Sequence, residues 1–339
     1  SPDEAAHTAQ ALLKLFERPL SLGHQREAYL SASIGISFYP DDGQSSDELI
    51  RNADAALYQA KAEGRNTYRF YTKALTERAH NRLTLESQLR QALKRGEFVL
   101  HYQPLVDTLT GKPLGIEALV RWSSPQGMIS PADFIPLAED TGLIIPIGTW
   151  VLREACRQAQ ALRNQGFALE TVAVNLSPRQ FRQGDLLKQV RDALNDSGLP
   201  ASCLELEITE GALMDDVAQT QATLGALKSL GLRLAVDDFG TGYSSLAYLH
   251  RFPLDNLKID QSFMHGVPSD QGNLEIVATI ITLARSLNLT VIAEGVETRE
   301  QHQALCQLAC DQCQGYLFSR PLSIKKLHEW LSGNHQARV

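Results

Sequence analysis

From about residue 97 onward the sequence alternates short apolar runs with helical segments, and this alternation limits the fold more than any other feature. The runs predicted to be strands are FVLHYQPLVD, LGIEALVRW, TVAVNLS, CLELEITE, LRLAVDDF, DNLKID, TVIAEGVE and QGYLFS. Repeated strand–helix units of this length predict an α/β fold with a largely parallel sheet, either open or closed into a barrel.

Polar side chains lie towards the carboxyl ends of seven of these runs. They are Glu117, Asn175, Glu207, Asp237, Asp238, Lys258, Glu294 and Gln314. In a (β/α)8 barrel the functional groups come from the C-terminal ends of several strands, whereas an open doubly wound sheet binds its ligand at one switch point behind a glycine-rich turn. No G-x-G-x-x-G follows the first run. We therefore predict a TIM-like barrel, with the first strand open to antiparallel pairing through the hairpin DTLTGKPLG.

These polar residues have a common chemistry. Several carboxylates at one barrel mouth cannot all stay ionised without compensating positive charge. Carboxylate and amide oxygens without a histidine cluster suit Mg²⁺ or Mn²⁺ better than Zn²⁺ or copper. The adjacent Asp237 and Asp238 can hold two cations close together, as in two-metal phosphoester hydrolysis. Lys258, on a neighbouring strand, is placed to orient an attacking hydroxide or to stabilise the transition state.

The 339 residues divide into three predicted parts. Residues 1–72 form a small α/β unit, residues 73–96 a charged helical connector, and residues 97–333 the barrel, whose helical entry starts at about residue 85. Ser46 is the predicted N-cap of the helix in the first part. This part is half of an α/β fold, so we expect its unpaired sheet edge to be covered by the barrel, by a second copy, or by chain outside this sequence.

Charge and hydropathy argue against two broad classes of protein. The net charge of -7 is unlike that of a general nucleic-acid binder. No apolar run approaches the roughly 20 residues of a membrane span, so we expect no membrane segment in this part of the protein. Five cysteines, an odd count, indicate a reducing compartment. The chain starts without Met or a signal peptide, and we expect a cytoplasmic fragment of a longer protein that is open to membrane anchoring elsewhere.

Three of the cysteines have a spacing that requires separate consideration. The pattern Cys306-x3-Cys310-x2-Cys313 matches the cluster-binding motif of radical enzymes that use S-adenosylmethionine. Here it runs from the end of a helical segment into a late strand, whereas the motif in those enzymes follows an early strand. Spacing alone does not assign a metal site, and we favour the alternative of core thiols and one turn residue.

Seven motifs in a fixed order point to a known family. The stretches EALVRW, NLS, ELEITE, VDDFGTGYSSL, LKID, AEGVE and QGYLFSRP, within about residues 85–333, resemble the EAL-domain family of cyclic-di-GMP phosphodiesterases. The preceding SASIGISFYPDDG and NADAALYQAKAEGRNTYRFY resemble the C-terminal half of a GGDEF domain. The signature loop of that domain is absent, so we do not expect cyclase activity.

The resemblance implies a barrel that hydrolyses cyclic-di-GMP to linear 5′-pGpG with two Mg²⁺ or Mn²⁺ ions. The implied metal ligands are Glu117, Asn175, Glu207, Asp237, Asp238 and Glu294, the last of them through water. The implied catalytic residues are Lys258, which positions the nucleophilic water, together with Glu294, Glu207 and Asp237. The alternative function is a receptor that binds cyclic-di-GMP without cleaving it.

The resemblance also implies residues that bind the substrate and support the site. The substrate contacts would be Gln103, Leu119, Arg121, Asn175, Asp260, Gln314 and Pro321, with Arg121 holding a phosphate. Glu297 and Gln314 would support the mouth. Glu210 would anchor the loop 239–246, which couples metal and substrate binding to formation of a homodimer through the barrel. A plain helix-entry loop is the simpler alternative for that segment.

Overall fold

The structure, a computed structural model, describes residues 2–16, 20–21, 27–28, 31–182, 185–214, 216–240 and 249–333. The chain separates into two compact units, Ser1–Gln88 and Leu89–Val339. The long helix Lys73–Arg95 runs from the first unit into the second.

The N-terminal unit is a small α/β structure. Its helices are Pro2–Leu15 and Ser46–Ala62, and its strands are β1 (Leu20–Ser21), β2 (Glu27–Ala28), β3 (Ile34–Ile36) and β4 (Tyr68–Phe70). Strands β1 and β2 pair antiparallel, and β3 and β4 pair parallel. Among the described residues of this unit β3 pairs with β4 alone, and the covering of its free edge stays a prediction.

The predicted N-cap of the helix Ser46–Ala62 is wrong by one residue. Ser45 takes that place, in extended backbone conformation, and its side chain accepts a hydrogen bond from Glu48 N at 3.3 Å. A serine hydroxyl at this position satisfies one of the backbone N–H groups that the first turn leaves unpaired, and either serine of the pair offers that hydroxyl.

The C-terminal unit contains ten strands among the residues described. They are β5 (Phe98–Asp107), β6 (Pro113–Ser124), β7 (Gly127–Ile129), β8 (Thr171–Leu176), β9 (Leu204–Thr209), β10 (Arg233–Phe239), β11 (Asn256–Ile259), β12 (Thr290–Ala293), β13 (Gln312–Cys313) and β14 (Leu322–Ser323).

Eight of these strands close into a barrel. Strands β6 and β8 to β13 pair side by side in parallel. Strand β5 closes the ring, antiparallel to β6 on one side and to β13 on the other. The predicted TIM-like barrel and its antiparallel first strand are therefore confirmed. Strands β7 and β14 are short additional strands that pair antiparallel with β6 and β5 respectively.

Helices follow most of the parallel strands. They are Pro131–Thr141, Ile144–Asn164, Pro178–Arg182, Leu186–Ser197, Glu210–Met214, Val217–Lys228, Gln271–Ser286, Arg299–Gln307 and Ile324–Ser332, with 3₁₀ turns at Ala201–Cys203 and Gln261–Met264. Aspartates and a threonine cap several of them, as Asp185 does by accepting from Lys188 N. None of the helices in the described ranges is long and apolar enough to cross a bilayer.

The pattern of strand β9 shows how the sequence places charge inside the barrel. Leu204, Leu206 and Ile208 alternate with Glu205 and Glu207, and all five are almost completely buried. Successive side chains of a strand point to opposite faces, so the apolar set meets the helices while both carboxylates face the lumen. The barrel interior is therefore polar at the level of β9, and Glu207 lies at the end of this polar layer towards the C-terminal rim.

One predicted strand is wrong. The run QGYLFS at residues 314–319 is not extended: β13 ends at Cys313, and Phe318 N and Ser319 N both donate back to Gly315 O. A Cβ added to Gly315 would lie 2.0 Å from Val296 O, so the chain passes directly over that backbone and turns. Alternating apolar residues alone did not reveal this close approach, although Gly315 was the signal for it.

Candidate functional site

The site is centred on a buried lysine at the C-terminal rim of the barrel. Lys258, near the end of β11, is 1% exposed. Its Nζ lies 2.7 Å from Glu294 Oε1, 2.8 Å from Glu207 Oε1 and 3.4 Å from Asp237 Oδ1. Glu117 Oε1 follows at 3.9 Å. The carboxylates come from four different strands or strand ends, so the barrel rim brings together residues that are far apart in the sequence.

Two amide side chains donate hydrogen bonds to Glu117. Asn175 Nδ2 donates to Glu117 Oε1 at 2.6 Å, and Gln314 Nε2 donates to Glu117 Oε2 at 2.5 Å. Gln314 Nε2 also donates to Gln103 Oε1 at 3.0 Å, and Gln103 Nε2 donates to Ser319 O at 3.1 Å. The structure thus brings Gln103, Asn175 and Gln314 to the carboxylate that the sequence places in the EAL motif.

The charges of this cluster act on one another strongly because water is excluded. Burial opposes the charged form of Lys258, but the surrounding carboxylates outweigh it and hold the pKa of the ammonium well above its usual range. Burial is also the largest effect on Glu117, yet Lys258 and the hydrogen bonds from Gln314 and Asn175 leave the pKa of Glu117 below its ordinary value. Lys258 is therefore a fixed cation and Glu117 a fixed anion.

The remaining carboxylates are less well compensated. Burial raises the pKa of Glu207 well above its ordinary value, against the attraction of Lys258 and with the repulsion of Glu117 and Asp237. Burial likewise raises the pKa of Glu294, with Asp237 and Glu117 adding to the shift. More negative charge is present here than a single ammonium neutralises, which makes the rim a place for additional cations.

Asp238 combines backbone strain with charge repulsion. Its φ is 54°, in the left-handed region that few residues other than glycine adopt. Burial raises its pKa to about 6, with Asp237 and Asp260 adding repulsion. Its backbone N donates to Asp237 Oδ1 at 2.9 Å, and its side chain shares a hydrogen bond with Asp260. The predicted substrate contact Asp260 thus lies against Asp238, and it also caps the turn after β11 through Ser262 N.

The donor set fits a hard divalent cation. Glu207 Oε2 is buried and has no hydrogen-bond partner in the part of the chain that the structure describes. Such an atom is costly unless a ligand meets it. Within the same described ranges no three acidic, histidine or cysteine side chains form a preformed metal cage. The Lys258 ammonium lies between the carboxylates, and carboxylate and amide oxygens around it are the ligands that Mg²⁺ and Mn²⁺ prefer.

A cavity of about 260 Å³ opens above the carboxylates. Its lining comprises Gln103, Glu117, Leu119, Asn175, Asp237, Gln261, Glu294, Gly295, Glu297, Gln314, Gly315 and Tyr316. Arg121 and Leu119 line a second cavity of about 260 Å³ beside Asn175. Pro321 is half-buried and lines neither of these two cavities. The two cavities together therefore include most of the predicted substrate contacts, and Pro321 and Asp260 line neither.

Glu210 and Glu297 occupy the edges of the site. Glu210 is 2% exposed and its Oε2 accepts a hydrogen bond from Gly240 N at 2.9 Å. This contact lies at the start of the predicted signalling loop 239–246, whose residues 241–246 are outside the described residues. The Glu297 backbone N donates to Gln301 Oε1 at 2.7 Å, which fixes the chain where its side chain borders the cavity.

Sequence reasoning missed a second polar layer beneath the site. Glu205 and Asn256 are buried, and Asn256 Nδ2 donates to Glu205 Oε2 at 2.5 Å. Burial raises the pKa of Glu205 to about 7. Each residue stands two positions before a site residue on its strand, Glu207 and Lys258 respectively, so alternation alone could have indicated that both point into the lumen.

Two of the three closely spaced cysteines lie in the barrel core, and Cys306 is half-buried on the helix Arg299–Gln307. Cys310 and Cys313 are buried, and burial raises the pKa of each thiol to about 12. Cys310 Sγ donates to Val291 O at 3.7 Å, and Cys306 Sγ donates to Thr108 O at 3.4 Å. These contacts fit the favoured interpretation of core thiols, because thiols engaged with separate backbone carbonyls do not converge on one centre.

The fold and the site together define a class: a (β/α)8-type barrel with a buried carboxylate–lysine cluster at its C-terminal mouth. Residues 86–321 match the model of the EAL domain family. The chain belongs to the EAL domain family. Residues 1–67 match the model described as diguanylate cyclase, GGDEF domain.

Named relatives extend the similarity over nearly the whole chain. The bifunctional diguanylate cyclase/cyclic di-GMP phosphodiesterase MucR of Pseudomonas aeruginosa is 46% identical over 327 residues, which cover 96% of this chain and 48% of that protein. The cyclic di-GMP phosphodiesterase NbdA of the same organism is 46% identical over 97% of this chain and 42% of its own length. The chain thus spans less than half the length of these relatives.

A solved structure resembles the barrel. The structure described as PaMucR phosphodiesterase, c-di-GMP complex, has a TM-score of 0.70 and 47% sequence identity, and the match covers 72% of this chain and 99% of that one. The predicted fold and family are therefore confirmed.

Proposed function

We propose that this chain hydrolyses cyclic-di-GMP to linear 5′-pGpG in a metal-dependent reaction at the barrel mouth. The observation that carries the proposal is the buried cluster of Lys258 with Glu117, Glu207, Asp237 and Glu294. Membership of the EAL family supports it, as do the names of the relatives and the cyclic-di-GMP complex of the similar solved structure.

The proposed metal ligands are the oxygen donors of the rim. Glu117, Asn175, Glu207 and Asp237 would hold one Mg²⁺ or Mn²⁺ ion, and Asp238 would serve a second, with Glu294 acting through water. Two divalent ions supply positive charge that activates water and stabilises the charge that develops on phosphorus. The excess of buried carboxylate over ammonium charge and the unpaired Glu207 Oε2 support this assignment.

Lys258 would orient the attacking water and stabilise the transition state. Its pKa is held well above the usual range, so it stays protonated and can donate hydrogen bonds but cannot accept the proton that water loses. In the overall reaction a water oxygen bonds to phosphorus, the bond from phosphorus to the ribose 3′ oxygen breaks, and the water proton ends on that oxygen. Burial of Lys258 strengthens its attraction for the developing negative charge.

The residues above the cluster would bind the dinucleotide. Arg121 is half-buried beside Asn175 and would hold a phosphate, since its guanidinium gives the acidic rim a local positive charge. The other proposed substrate contacts are Gln103, Leu119, Asn175, Asp260, Gln314 and Pro321. Location in the cytoplasm stays a prediction.

One assay tests the proposal. The protein is incubated with cyclic-di-GMP in Mg²⁺, in Mn²⁺ and in chelator, and the products are separated by chromatography. We expect linear 5′-pGpG with either metal and none in chelator. Glu117→Ala should fold and lose hydrolysis, whereas the matched carboxylate variant Glu170→Gln, at an exposed position before β8, should hydrolyse as the parent does. Turnover that persists in chelator, or in Glu117→Ala, would contradict the mechanism.

The second candidate is a receptor that binds cyclic-di-GMP without turnover and signals through the loop 239–246 and a homodimer. The hydrogen bond from Gly240 N to Glu210 favours a role for this loop, since it ties the end of the Asp237–Asp238 strand to a buried carboxylate. Binding without product in either metal would favour this candidate. Dimerisation that changes with cyclic-di-GMP, and fails to change in Glu210→Ala, would support the loop mechanism under both candidates.

A further inference from the structure

The rim carries a large aromatic side chain that the proposed reaction leaves without a role. Tyr316 lies two residues after Gln314 and lines the mouth cavity. The side chain keeps 48% of its surface exposed. Burial of an aromatic ring lowers the free energy of the system, so a ring that is exposed to water beside a binding cavity suggests that a ligand covers it.

The backbone holds this ring in a fixed place. A Cβ on Gly315 would lie 2.0 Å from Val296 O, so the chain before Tyr316 passes directly against the loop that follows β12. Leu317 N donates to the same Val296 O at 3.0 Å, and Ser319 N donates back to Gly315 O at 3.1 Å. The backbone turn that carries the ring is therefore held by hydrogen bonds on both sides, and ligand binding would cost little conformational entropy of this backbone.

Two arginines flank the ring. The Arg320 guanidinium lies over the Tyr316 ring, 4.3 Å from its centroid, and covers one of its faces. Tyr316 is also close enough to Arg121 to act on the pKa of that guanidinium, although burial is the largest influence there and lowers it. Arg121 is the residue that we assign to a substrate phosphate. A flat ring near a cation that would hold a phosphate offers the two kinds of contact, stacking and charge, that one nucleotide can use.

We propose that Tyr316 is the stacking platform for one guanine base of the bound cyclic dinucleotide, with Arg320 supporting the ring from behind. The inference rests on the proposed function, because it assigns a contact to the same substrate. It makes Tyr316 a substrate-positioning residue: the ring contacts the base and stays away from the reacting phosphorus. A ring that merely packs against Arg320 would be an ordinary surface pair of little consequence for binding.

The test compares Tyr316→Ala, Tyr316→Leu and Tyr316→Phe with the parent. Affinity for cyclic-di-GMP is measured by titration calorimetry in chelator, which prevents turnover. We expect Tyr316→Ala to weaken binding about 5- to 150-fold, the range that loss of one base–aromatic stack produces. Tyr316→Phe should bind within about twofold of the parent because it keeps the ring, and Tyr316→Leu should fall between them because it keeps only apolar bulk.

Two further measurements distinguish stacking from a structural role. Guanine absorbance should fall on binding to the parent and to Tyr316→Phe, and this hypochromic change should be lost in Tyr316→Ala and in Tyr316→Leu. With Mg²⁺ present, Tyr316→Ala should raise KM and leave kcat nearly unchanged, because the base contact is the same in the ground state and the transition state. Tyr39→Ala, which removes an exposed ring (70% against 48% for Tyr316) from the N-terminal unit, is the control and should bind like the parent.

The outcomes separate this inference from the proposed function. Parent protein that neither binds nor cleaves cyclic-di-GMP would overturn both. Parent binding that Tyr316→Ala retains in full would overturn the stacking role alone. A loss in Tyr316→Phe as large as in Tyr316→Ala would also overturn it, since the hydroxyl and not the ring would then make the contact. If Tyr316→Ala does not fold, the comparison of Leu with Phe gives the same decision.

Discussion

The two ends of the barrel both carry acidic residues at strand ends, but they treat them in opposite ways. At the N-terminal end, Asp255 accepts from Leu234 N at 2.8 Å and pairs with Lys228 Nζ at 2.5 Å. Asp311 accepts from Val291 N at 2.8 Å. Each of these carboxylates accepts a hydrogen bond from the backbone of the preceding strand and so ties one strand to the next, and Asp255 also has a lysine as its counter-charge.

At the C-terminal end the carboxylates are buried and share a single lysine. Glu207 Oε2 has no partner within the described residues, and Asp238 adopts a strained backbone conformation. The difference shows that residue type does not decide the role of a carboxylate in this barrel. Its partners do: the carboxylates at the N-terminal end are satisfied within the fold, whereas those at the C-terminal end are the ones that we propose to meet a metal ion.

The largest contrast is expected from removing the lysine at each end. In chelator, Lys258→Met should lower the free energy of unfolding by about 3–5 kcal/mol, because it leaves buried carboxylates without their cation. Lys228→Met, at the other end, should cost at most about 1 kcal/mol, since this pair is partly exposed. Urea unfolding measures both. Hydrolysis should be lost only in Lys258→Met, and equal stability losses would break the comparison.

The next effect concerns the polar layer below the site. Glu205 has a pKa of about 7 in the folded state against 4.5 unfolded, chiefly through burial, with Asp255 adding to the shift and Lys258 and Arg233 opposing it. The native state therefore keeps a proton that the unfolded chain loses above pH 4.5. The stability from this group is present below that pH and falls by about 3 kcal/mol as pH rises to about 7.

Glu205→Gln should remove that pH dependence while keeping an acceptor for Asn256 Nδ2. Urea unfolding of the parent and of the variant at about pH 4.5 and about pH 8 gives the two slopes. Parallel pH profiles for the two proteins would show that Glu205 is already ionised in the folded barrel at neutral pH.

A smaller effect is expected from the close approach at the rim. Gly315→Ala places a Cβ against Val296 O and should cost about 2–3 kcal/mol, together with weaker binding of cyclic-di-GMP as the turn moves. Gly211→Ala is the matched control, because a Cβ there meets nothing within 4 Å. It should be neutral or stabilising by up to about 1 kcal/mol, since Gly211 lies in a helix. Thermal unfolding of both variants measures the difference.

The smallest effect belongs to the N-terminal end. Hydrogen bonds from Thr110 lower the pKa of Asp107 below its ordinary value of 3.8. Its contribution is therefore present above that pH and lost as pH falls through the folded pKa. Asp107 is half-buried and Asn keeps an acceptor oxygen for Thr110, so Asp107→Asn should change stability by less than about 0.5 kcal/mol. Urea unfolding at acid pH should show this as a weaker loss of stability than in the parent. A change as large as that of Lys258→Met would erase the distinction between the two ends.

The sequence predicted the barrel and most of the rim because both follow from local patterns. Strand–helix alternation predicts the architecture, and polar residues at strand ends meet at one edge wherever strands run parallel. Glu117, Glu207, Asp237, Lys258 and Glu294 were found in this way. The roles assigned to them stay predictions, since distances alone do not show metal or substrate.

Other features depend on contacts between segments that no local pattern contains. The turn at Gly315 results from its approach to Val296, and alternation of apolar residues suggested a strand instead. The stacking role that we propose for Tyr316 rests on the position of Arg320 over its ring, a contact that no local pattern predicts. The Glu205–Asn256 pair was missed because the apolar character of β9 and β11 hid two more inward positions.

The closure of the barrel has a consequence for its motions. On one edge, strand β5 pairs with β13 at Gln312↔Asp107 and Cys313↔Val106 and with β14 at Leu322↔Tyr102 and Ser323↔His101. On the other edge its ladder with β6 extends from Phe98↔Trp122 to Val106↔Pro113. The two-pair junction of β5 with β13, which we call the clasp, is much shorter than the β5–β6 ladder. Transient opening of the barrel should therefore begin at the clasp. Gln314 follows the clasp directly, and its side-chain amide donates hydrogen bonds to Gln103 on β5 and to Glu117 on β6. A ligand that strengthens these hydrogen bonds should slow amide hydrogen exchange more at the clasp than at the other strand pairs of the barrel.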